Sequence, residues 1–438
     1  MSEIPTDWLD HSAQVHPNRV ALADGREEIT YAELRRRARA MAAELADDGV
    51  GSGDPVAIDM PAGIPHVVAL HGAILAGAIA QSLPASGREG VDVAPGARYV
   101  GVAEVARAVE RGADWPTIRR PPREPLTRVL SSGTSGDPKP VELTHANHLW
   151  SALASGLKLG VEPDDRWLCC LPLNHVGGLT ILLRSALYGT AAEIQTGFDV
   201  DPAGEALGSG RITIASLVPT QLVRLLEAGV AVEKPRLLLI GGGPLPLDVL
   251  EEAEGRGATV VQTYGLTEAC SQVCTLAPSE ARDHPGSAGR PLLGVEVRIE
   301  EEQILVRGPN VAPGSKAADG WLHTGDLGRL DNEGYLYLEG RRGDLIVTGG
   351  ENVRPERVED ALRSHPAVAD VGVAGEDDRE WGQRVVAHVV PTTGTSLSEE
   401  ELLDHARGAL KRHELPKLVR FREDLPRTAS GKLQRRKL

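Results

Sequence analysis

The spacing of apolar and polar positions in the first part of the chain predicts both helices and strands. A capping-box pattern at Thr30–Glu33 opens a predicted helix that Gly49 ends. A strand is predicted at 56–58, followed by a helix from about 66 to 80. Residues 86–125 are rich in Pro and Gly, and we predict irregular structure there apart from a helix near 103–109.

Strands and helices alternate regularly from residue 212 onward. The pattern predicts strands at 212–215, 237–240 and 259–262, and helices that begin at Pro219 and at Leu247. This β-α-β-α-β order is typical of a mostly parallel sheet, whose ligands bind at the carboxyl ends of the strands.

The pattern changes after Gly340, where short strands and two helices predict a small α+β unit. Strands are predicted at 345–347, 368–373 and 385–390, and helices at 355–362 and 398–411. We therefore predict an α/β protein with a large N-terminal domain, residues 1–340, whose mostly parallel sheets are flanked by helices. Residues 341–343 would join it to a small α+β domain, residues 344–438.

Composition narrows the classes of function. The 438 residues carry a formal net charge of -15, which argues against nucleic acid or an anionic membrane as the main partner. The four cysteines do not make a disulfide framework, so we interpret them as reduced thiols. Neither a secretory signal nor a run long enough to span a membrane is evident. We expect a cytoplasmic protein without stable membrane insertion, and the sequence allows for a homo-oligomer.

The segment Ser131–Lys139, SSGTSGDPK, is a candidate phosphate-binding loop. Glycines let backbone N–H groups converge on an anion, and hydroxyls and a lysine add donors. It is not a P-loop, because its lysine follows Pro138 and no Ser or Thr comes directly after that lysine. Taken alone, such a stretch is more often a Ser/Gly turn than a nucleotide site.

Four further polar motifs follow in order: TYGLTE at 263–268, TGDLG at 324–328, GRRGD at 340–344 and PRTASGK at 426–432. With the phosphate loop, they resemble the motif set of the adenylate-forming superfamily, which includes acyl- and aryl-CoA synthetases, peptide-synthetase adenylation domains and luciferases. The resemblance covers nearly the whole chain. It implies that the acid and ATP form an acyl-adenylate and pyrophosphate, and that coenzyme A then forms the thioester.

The resemblance also implies the residues of the ATP site. Ser132, Thr134, Ser135 and Lys139 would hold the β- and γ-phosphates, Glu268 would hold Mg²⁺, and Thr267 would contact the α-phosphate. Tyr264 would stack on adenine, with Gly242, Gly243, Pro244, Thr263 and Gly265 around the nucleotide. Asp326 would hold the ribose hydroxyls, Arg341 would reach the ribose or phosphate, and Lys432 would contact the α-phosphate and the acid during adenylation.

For the second half-reaction, the resemblance implies that the small domain is mobile and rotates about a hinge at 341–343. By resemblance, the loop of Gly349, Gly350 and Glu351 lines the coenzyme A tunnel, and Gly343 is the pivot. Many relatives carry Asp or Lys at the pivot, so this chain departs from them. Glycine's wide range of backbone conformations still suits a hinge.

The acid is indicated by two segments, 147–189 and 262–276, which look like those of o-succinylbenzoate–CoA ligases of menaquinone biosynthesis. This acid has a second carboxylate, which needs a cation, and Arg184 matches the family's arginine for it. His175, Gly265 and Gln272 complete the implied acid pocket, with His175 also assigned to catalysis. Asn174 and Pro140 depart from the usual pattern and affect the expected shape of that pocket.

Other readings of the motifs remain open. A fatty or aryl acyl-CoA synthetase of other specificity would share every ATP motif without needing Arg184. A peptide-synthetase domain, a luciferase-like enzyme and a degenerate member that only binds an acyl-adenylate are less favoured.

Overall fold

The computed structural model describes residues 4–5, 8–116, 119–131, 138–428 and 433–438. The chain folds into two compact units. The first comprises Met1–Val297 and Val306–Leu322, and the second comprises Arg298–Leu305 and His323–Leu438. None of the helices within these described ranges is long and apolar enough to cross a membrane. The predicted hinge at 341–343 and the mobility of the C-terminal domain stay predictions.

The first unit holds the helices α1 Trp8–Val15, α2 Tyr31–Asp47, α3 Ile64–Ala76, α4 Val102–Arg111, α5 His145–Leu159, α6 Val176–Tyr188, α7 Val200–Gly208, α8 Pro219–Glu227 and α9 Leu247–Gly255. Its strands are β1 Ile4–Pro5, β2 Val20–Ala23, β3 Glu28–Thr30, β4 Pro55–Ile58, β5 Ile79–Ser82, β6 Arg98–Val100, β7 Arg119–Arg120, β8 Pro125–Ser131, β9 Lys139–Thr144, β10 Arg166–Cys169, β11 Ala191–Ile194, β12 Ile214–Leu217, β13 Leu237–Ile240, β14 Val260–Leu266, β15 Ser271–Thr275 and β16 Arg290–Pro291.

Two large sheets organise the first unit. One has nine strands in the order β16-β15-β14-β13-β12-β10-β11-β2-β3, and its pairings from β14 to β2 are parallel. The other has five strands in the order β6-β4-β5-β8-β9, with only β9 antiparallel. The predicted α/β class and the mostly parallel sheet are confirmed. The carboxyl ends of β13 and β14 lie side by side, where such sheets bind ligands.

The short four-stranded sheet β17 Glu296–Glu300, β18 Gln303–Arg307, β19 Leu322–Leu330 and β20 Leu336–Arg341 pairs in that order. The rest of the second unit consists of β21 Ile346–Thr348, β22 Glu351–Val353, α10 Pro355–Arg363, β23 Val368–Asp378, β24 Gly382–Pro391, α11 Glu399–Ala406 and β25 Leu418–Phe421. Strands β21 to β25 form one mixed sheet over a Val- and Leu-rich core that α10 and α11 cover. The predicted α+β character is confirmed.

Two predicted helix ends are wrong. The helix predicted to reach residue 80 ends at Ala76, because Gly77 adopts a left-handed conformation with φ of 89°, and 79–82 forms β5. Both segments are buried, so their apolar run gave no periodic signal at the change from helix to strand. The helix predicted to reach residue 411 ends at Ala406.

Three buried histidines of the first unit make its stability depend on pH. Burial lowers the pKa of His66 and of His71 to about 4 and that of His148 to about 3. Below pH 6.5 the unfolded chain binds protons that the folded chain does not, so stability falls as the pH drops from about 6.5 toward 4.

We expect His71→Leu to reduce this loss of stability between pH 7 and pH 5, because His71 titrates only in the unfolded chain over that range. Urea unfolding at the two pH values measures the loss. His11→Gln, at an exposed position, is the matched control and should keep the full loss. A loss equal to that of the unmodified chain in His71→Leu would contradict the expectation.

Candidate active site

The motif TYGLTE forms a tight turn at the end of β14. Strand β14 leads into a short 3₁₀ helix, Thr267–Ala269, and β15 then returns antiparallel beside it. Gly265 lies opposite Gln272, and an added Cβ at Gly265 would come within 1.9 Å of the Ser271 carbonyl oxygen. Only glycine allows this approach. The turn therefore brings the predicted nucleotide residues and the predicted acid residue Gln272 together.

Glu268 is half-buried on this turn, and its carboxylate forms no hydrogen bond or ion pair with the described side chains. Its backbone oxygen accepts a hydrogen bond from Ala312 N at 2.8 Å, which fixes the main chain. Among the described residues, no group of three or more His, Cys, Asp or Glu side chains could hold a metal ion. A single carboxylate nevertheless fits Mg²⁺, which usually takes one or two carboxylates together with substrate phosphates.

The glycine-rich motif after β13 lies beside this turn. Strand β13 pairs in parallel with β14, with Ile240 opposite Gln262. A Cβ at Gly241 would come within 2.9 Å of Thr263 Cγ2, and Gly242 has φ of 82°. Gly241, which directly precedes the predicted residues Gly242, Gly243 and Pro244, thus lies next to Thr263. Tyr264 is buried, with 6% of its surface exposed.

In the second unit the structure brings Asp326 and Arg341 together. They are opposite each other in the antiparallel pair β19–β20, and Arg341 Nε lies 2.5 Å from Asp326 Oδ1. Asp326 N also donates to Thr324 Oγ1 at 3.1 Å, and Thr324 Oγ1 donates to Ile304 O at 2.7 Å. The carboxylate predicted to hold the ribose is therefore held in place by contacts within one hairpin and with strand β18.

The predicted coenzyme A loop is the turn between β21 and β22. Gly349 and Gly350 have φ of 59° and 84°, and Glu351 is exposed. Gly349 N donates to Trp381 O at 2.8 Å. The Trp381 indole is 40% exposed, and Lys417 Nζ lies 3.0 Å from its ring centroid. Sequence reasoning missed this pair, although a tryptophan within the polar stretch 376–384 was a usable signal.

Gly343, the predicted pivot, lies in a 3₁₀ turn at Arg342–Asp344. Lys139 is exposed at the start of β9, opposite Ser131. The predicted residues Ser132, Thr134, Ser135 and Lys432 lie outside the described residues, and their roles stay predictions.

Helix α6 carries both His175 and Arg184 but does not bring them together. His175 is the N-cap of the helix, and burial lowers the pKa of its ring. Nine residues at 1.5 Å each place Arg184 about 13 Å further along the axis. Gly178 lets the helix pack closely, since a Cβ there would lie 2.6 Å from the carbonyl oxygens of Leu171 and Pro172.

Arg184 is a buried cation without a carboxylate partner among the described residues. Only 3% of its surface is exposed, and burial lowers its pKa. Its Nη2 donates to Ser151 Oγ at 3.0 Å, while its buried Nε has no hydrogen-bond partner there. Ser151 Oγ in turn donates to Cys270 O at 2.6 Å. Arg184 is thereby connected to the turn that carries Glu268.

His148 is a further polar group beside Arg184 that the motifs did not indicate. Its Nε2 lies 2.8 Å from Thr127 Oγ1, and its Nδ1 lies 3.3 Å from Cys270 Sγ. Burial and the positive charge of Arg184 both lower its pKa, so it is neutral at pH 7. A neutral neighbour does not supply the anion that Arg184 lacks. All four cysteines are free and buried.

Comparison with known proteins identifies the class. The AMP-binding enzyme family matches residues 9–90 and 91–315, and the C-terminal domain of AMP-binding enzymes matches residues 357–432. The chain belongs to the family of AMP-binding enzymes, and the predicted superfamily is confirmed.

The alignments of this chain with individual relatives cover both proteins almost completely. The chain is 38% identical to a 2-succinylbenzoate–CoA ligase of Bacillus cereus, over 100% of this chain and 98% of the relative, and 37% identical to that of Bacillus subtilis. The structure of the Bacillus subtilis o-succinylbenzoate CoA synthetase with its acyl-adenylate superposes with a TM-score of 0.89 at 36% identity, covering 100% and 98% of the two chains. ATP-bound MatB from Rhodopseudomonas palustris gives 0.91 at 26% identity, covering 99% and 98%.

Proposed function

We propose that this protein is an ATP-dependent, AMP-forming acid–CoA ligase and that its acid is o-succinylbenzoate, as in menaquinone biosynthesis. A carboxylate oxygen attacks the α-phosphorus of ATP and pyrophosphate leaves. The thiol sulfur of coenzyme A then attacks the acyl carbon, AMP leaves and the thiol proton is released. Full-length similarity to 2-succinylbenzoate–CoA ligases supports both steps.

The observation that carries the choice of acid is the buried guanidinium of Arg184. A buried charge usually has a partner, and none of the described carboxylates supplies one to Arg184. The ring carboxylate of o-succinylbenzoate would complete the pair, and the planar fork of arginine suits a carboxylate. A fatty or simple aromatic acid, the alternative substrate class, would leave this cation uncompensated.

The resemblance of the motifs supports the assignment of the ATP site. The Glu268 carboxylate would hold Mg²⁺, which when bound offsets the negative charge of the ATP phosphates. Asp326 would accept hydrogen bonds from the ribose hydroxyls, with Arg341 holding its carboxylate in place. Thr267, Lys139 and Lys432 would contact phosphate oxygens, and Lys432 would also contact the acid during adenylation.

The remaining assignments concern coenzyme A and the surroundings of the enzyme. The loop of Gly349, Gly350 and Glu351 would line the path of coenzyme A, with Gly343 as the pivot between the two half-reactions. The free, buried thiols support a reducing, cytoplasmic location. A homo-oligomer stays a proposal.

The stoichiometry of the nucleotide products tests the reaction. Purified protein with ATP, Mg²⁺, coenzyme A and o-succinylbenzoate should release one AMP and one pyrophosphate for each thioester formed. Without the acid, release of both should fall to background. ADP and orthophosphate as the products would overturn the AMP-forming reaction.

A further inference from the structure

The carbonyl oxygens of the Glu268 turn are held by donors from two distant parts of the first unit. Ala312 N donates to Glu268 O at 2.8 Å, and Ser151 Oγ donates to Cys270 O at 2.6 Å. A single amide group, Asn310 Nδ2, donates to both Ala269 O and Gln272 O at 3.1 Å. The main chain on either side of Cys270 is thus fixed from outside the turn.

This turn needs external support because its backbone is strained. Cys270 and Ser271 adopt φ of 50° and 84°, a left-handed region that residues with a side chain seldom occupy. Such conformations persist where the surrounding structure holds them, and they are concentrated at functional sites. The donors Ala312 N, Ser151 Oγ and Asn310 Nδ2 are therefore the contacts that keep Glu268 and Thr267 in place.

The Asn310 side chain is buried and oriented by this contact. Its side chain is 2% exposed, and both neighbours of its amide nitrogen are carbonyl oxygens, which only accept, so the orientation of the amide group is determined. Gly308 leaves room for it, since a Cβ there would lie 2.6 Å from Asn310 Oδ1.

A second asparagine holds the segment that carries Asn310. Asn147 Nδ2 donates to Pro309 O at 2.8 Å and to Val311 O at 3.1 Å. Its Oδ1 accepts hydrogen bonds from the N–H and the hydroxyl of Thr144, each at 2.8 Å. Thr144 is the last residue of β9, the strand that begins with Lys139.

The two amides therefore link two parts of the proposed ATP site. Strand β9 connects Lys139 to Thr144, Asn147 connects Thr144 to segment 309–311, and Asn310 connects that segment to the turn. We propose that Asn147 and Asn310 are positioning residues for adenylation, which hold the Glu268 carboxylate at a fixed place relative to Lys139. Neither side chain has to touch a substrate. This inference rests on the proposed function, because it takes Glu268 and Lys139 as ligands of Mg²⁺ and ATP.

The test removes the donor at position 310 in two ways. Asn310→Asp keeps the shape but has no N–H, and Asn310→Ala removes the group without adding a charge. Each should slow acid-dependent exchange between pyrophosphate and ATP by about 10- to 100-fold, the usual effect of losing a group that orients a metal ligand. The Mg²⁺ concentration for half-maximal exchange should rise. The rate of thioester formation from supplied acyl-adenylate and coenzyme A should change much less. It should stay within about threefold of the rate of the unmodified chain.

Hydrogen exchange of the ligand-free protein gives a readout independent of activity. The amides of 270–272 should exchange at least about tenfold faster in both variants, because the turn loses its support. Asn18→Asp, an exposed asparagine of the same unit, is the matched control and should change neither rate nor exchange. A variant that is partly unfolded would lose both half-reactions by the same factor, and that result would overturn the positioning role.

Glu268→Gln separates this inference from the proposed function. If it leaves adenylation unchanged, Glu268 is not the metal ligand and the proposed site fails. If it slows adenylation while both Asn310 variants do not, the positioning role fails alone. Asn310→Asp added to Glu268→Gln should slow adenylation by a smaller factor than it slows the unmodified chain, because Asn310 acts in part through Glu268.

Discussion

Replacing Arg184 with alanine is expected to lower kcat/KM for o-succinylbenzoate by two to three orders of magnitude. Removing one partner of a buried, hydrogen-bonded charge pair costs about 2–5 kcal/mol, and each 1.4 kcal/mol is about tenfold. Arg184 is buried and lacks a described carboxylate partner, so the pair forms only when the substrate is bound. The KM for ATP should change little, because Arg184 reaches the nucleotide turn only through Ser151.

A matched pair of acids makes this result specific. The same keto acid without the ring carboxylate, 4-oxo-4-phenylbutanoate, offers nothing to Arg184, so Arg184→Ala should hardly change its kcat/KM. Arg184→Lys should give an intermediate loss for the diacid, because an ammonium lacks the planar fork. Arg224→Ala, an exposed arginine on α8, is the control. Equal losses for both acids would mean that Arg184 is structural.

Replacing Arg435 with alanine is expected to have the largest effect on the second unit. Its guanidinium lies among three carboxylates: it pairs with Glu359, with Glu356 at 2.8 Å and with Asp344 at 3.6 Å. Removing the cation from this mostly buried cluster leaves like charges together, which costs about 3–5 kcal/mol. The rate of adenylation should also fall, because Arg435 closely follows Lys432 in the sequence. The neighbouring Gln434 N donates to Pro426 O at 2.8 Å.

The stability loss in Arg435→Ala should depend on pH. Burial already raises the pKa of Glu356, and without Arg435 that pKa rises further. Protonation of the folded protein then recovers part of the loss as the pH falls, so the difference from the unmodified chain should be larger at pH 8 than at pH 5. Urea unfolding at both values measures it. Arg420→Ala, which breaks a more exposed pair with Glu376, should cost about 1 kcal/mol or less at either pH. A loss independent of pH would contradict the carboxylate cluster.

Much of the fold followed from local signals in the sequence. The Thr30 cap, Pro219 at the start of α8 and the alternating segments from β12 to β14 each have a local cause, and the structure contains them. The order of the nine-stranded sheet had no such signal, because β2 pairs with β11, which is far along the chain. The helix and strand on either side of Gly77 are both buried, so periodicity could not separate them.

The candidate site divides in the same way. Motifs such as TYGLTE and TGD are short enough to be recognised in the sequence. The structure brings Asp326 to Arg341 and Gly265 to Gln272. Ser151, Asn147 and Asn310 act on backbone oxygens more than 100 residues away or in another segment, and neighbouring residues give no sign of such contacts. The roles of the phosphate-loop hydroxyls and of Lys432 stay predictions.

The most direct test of the central claim is a competition between acids. The purified protein would receive ATP, Mg²⁺, coenzyme A and an equimolar mixture of o-succinylbenzoate, benzoate, octanoate and palmitate, and mass spectrometry would measure each coenzyme A thioester. We predict that succinylbenzoyl-CoA dominates the early products. A fatty or simple aromatic thioester as the main product would contradict the assigned acid, and no thioester from any acid would contradict the ligase itself.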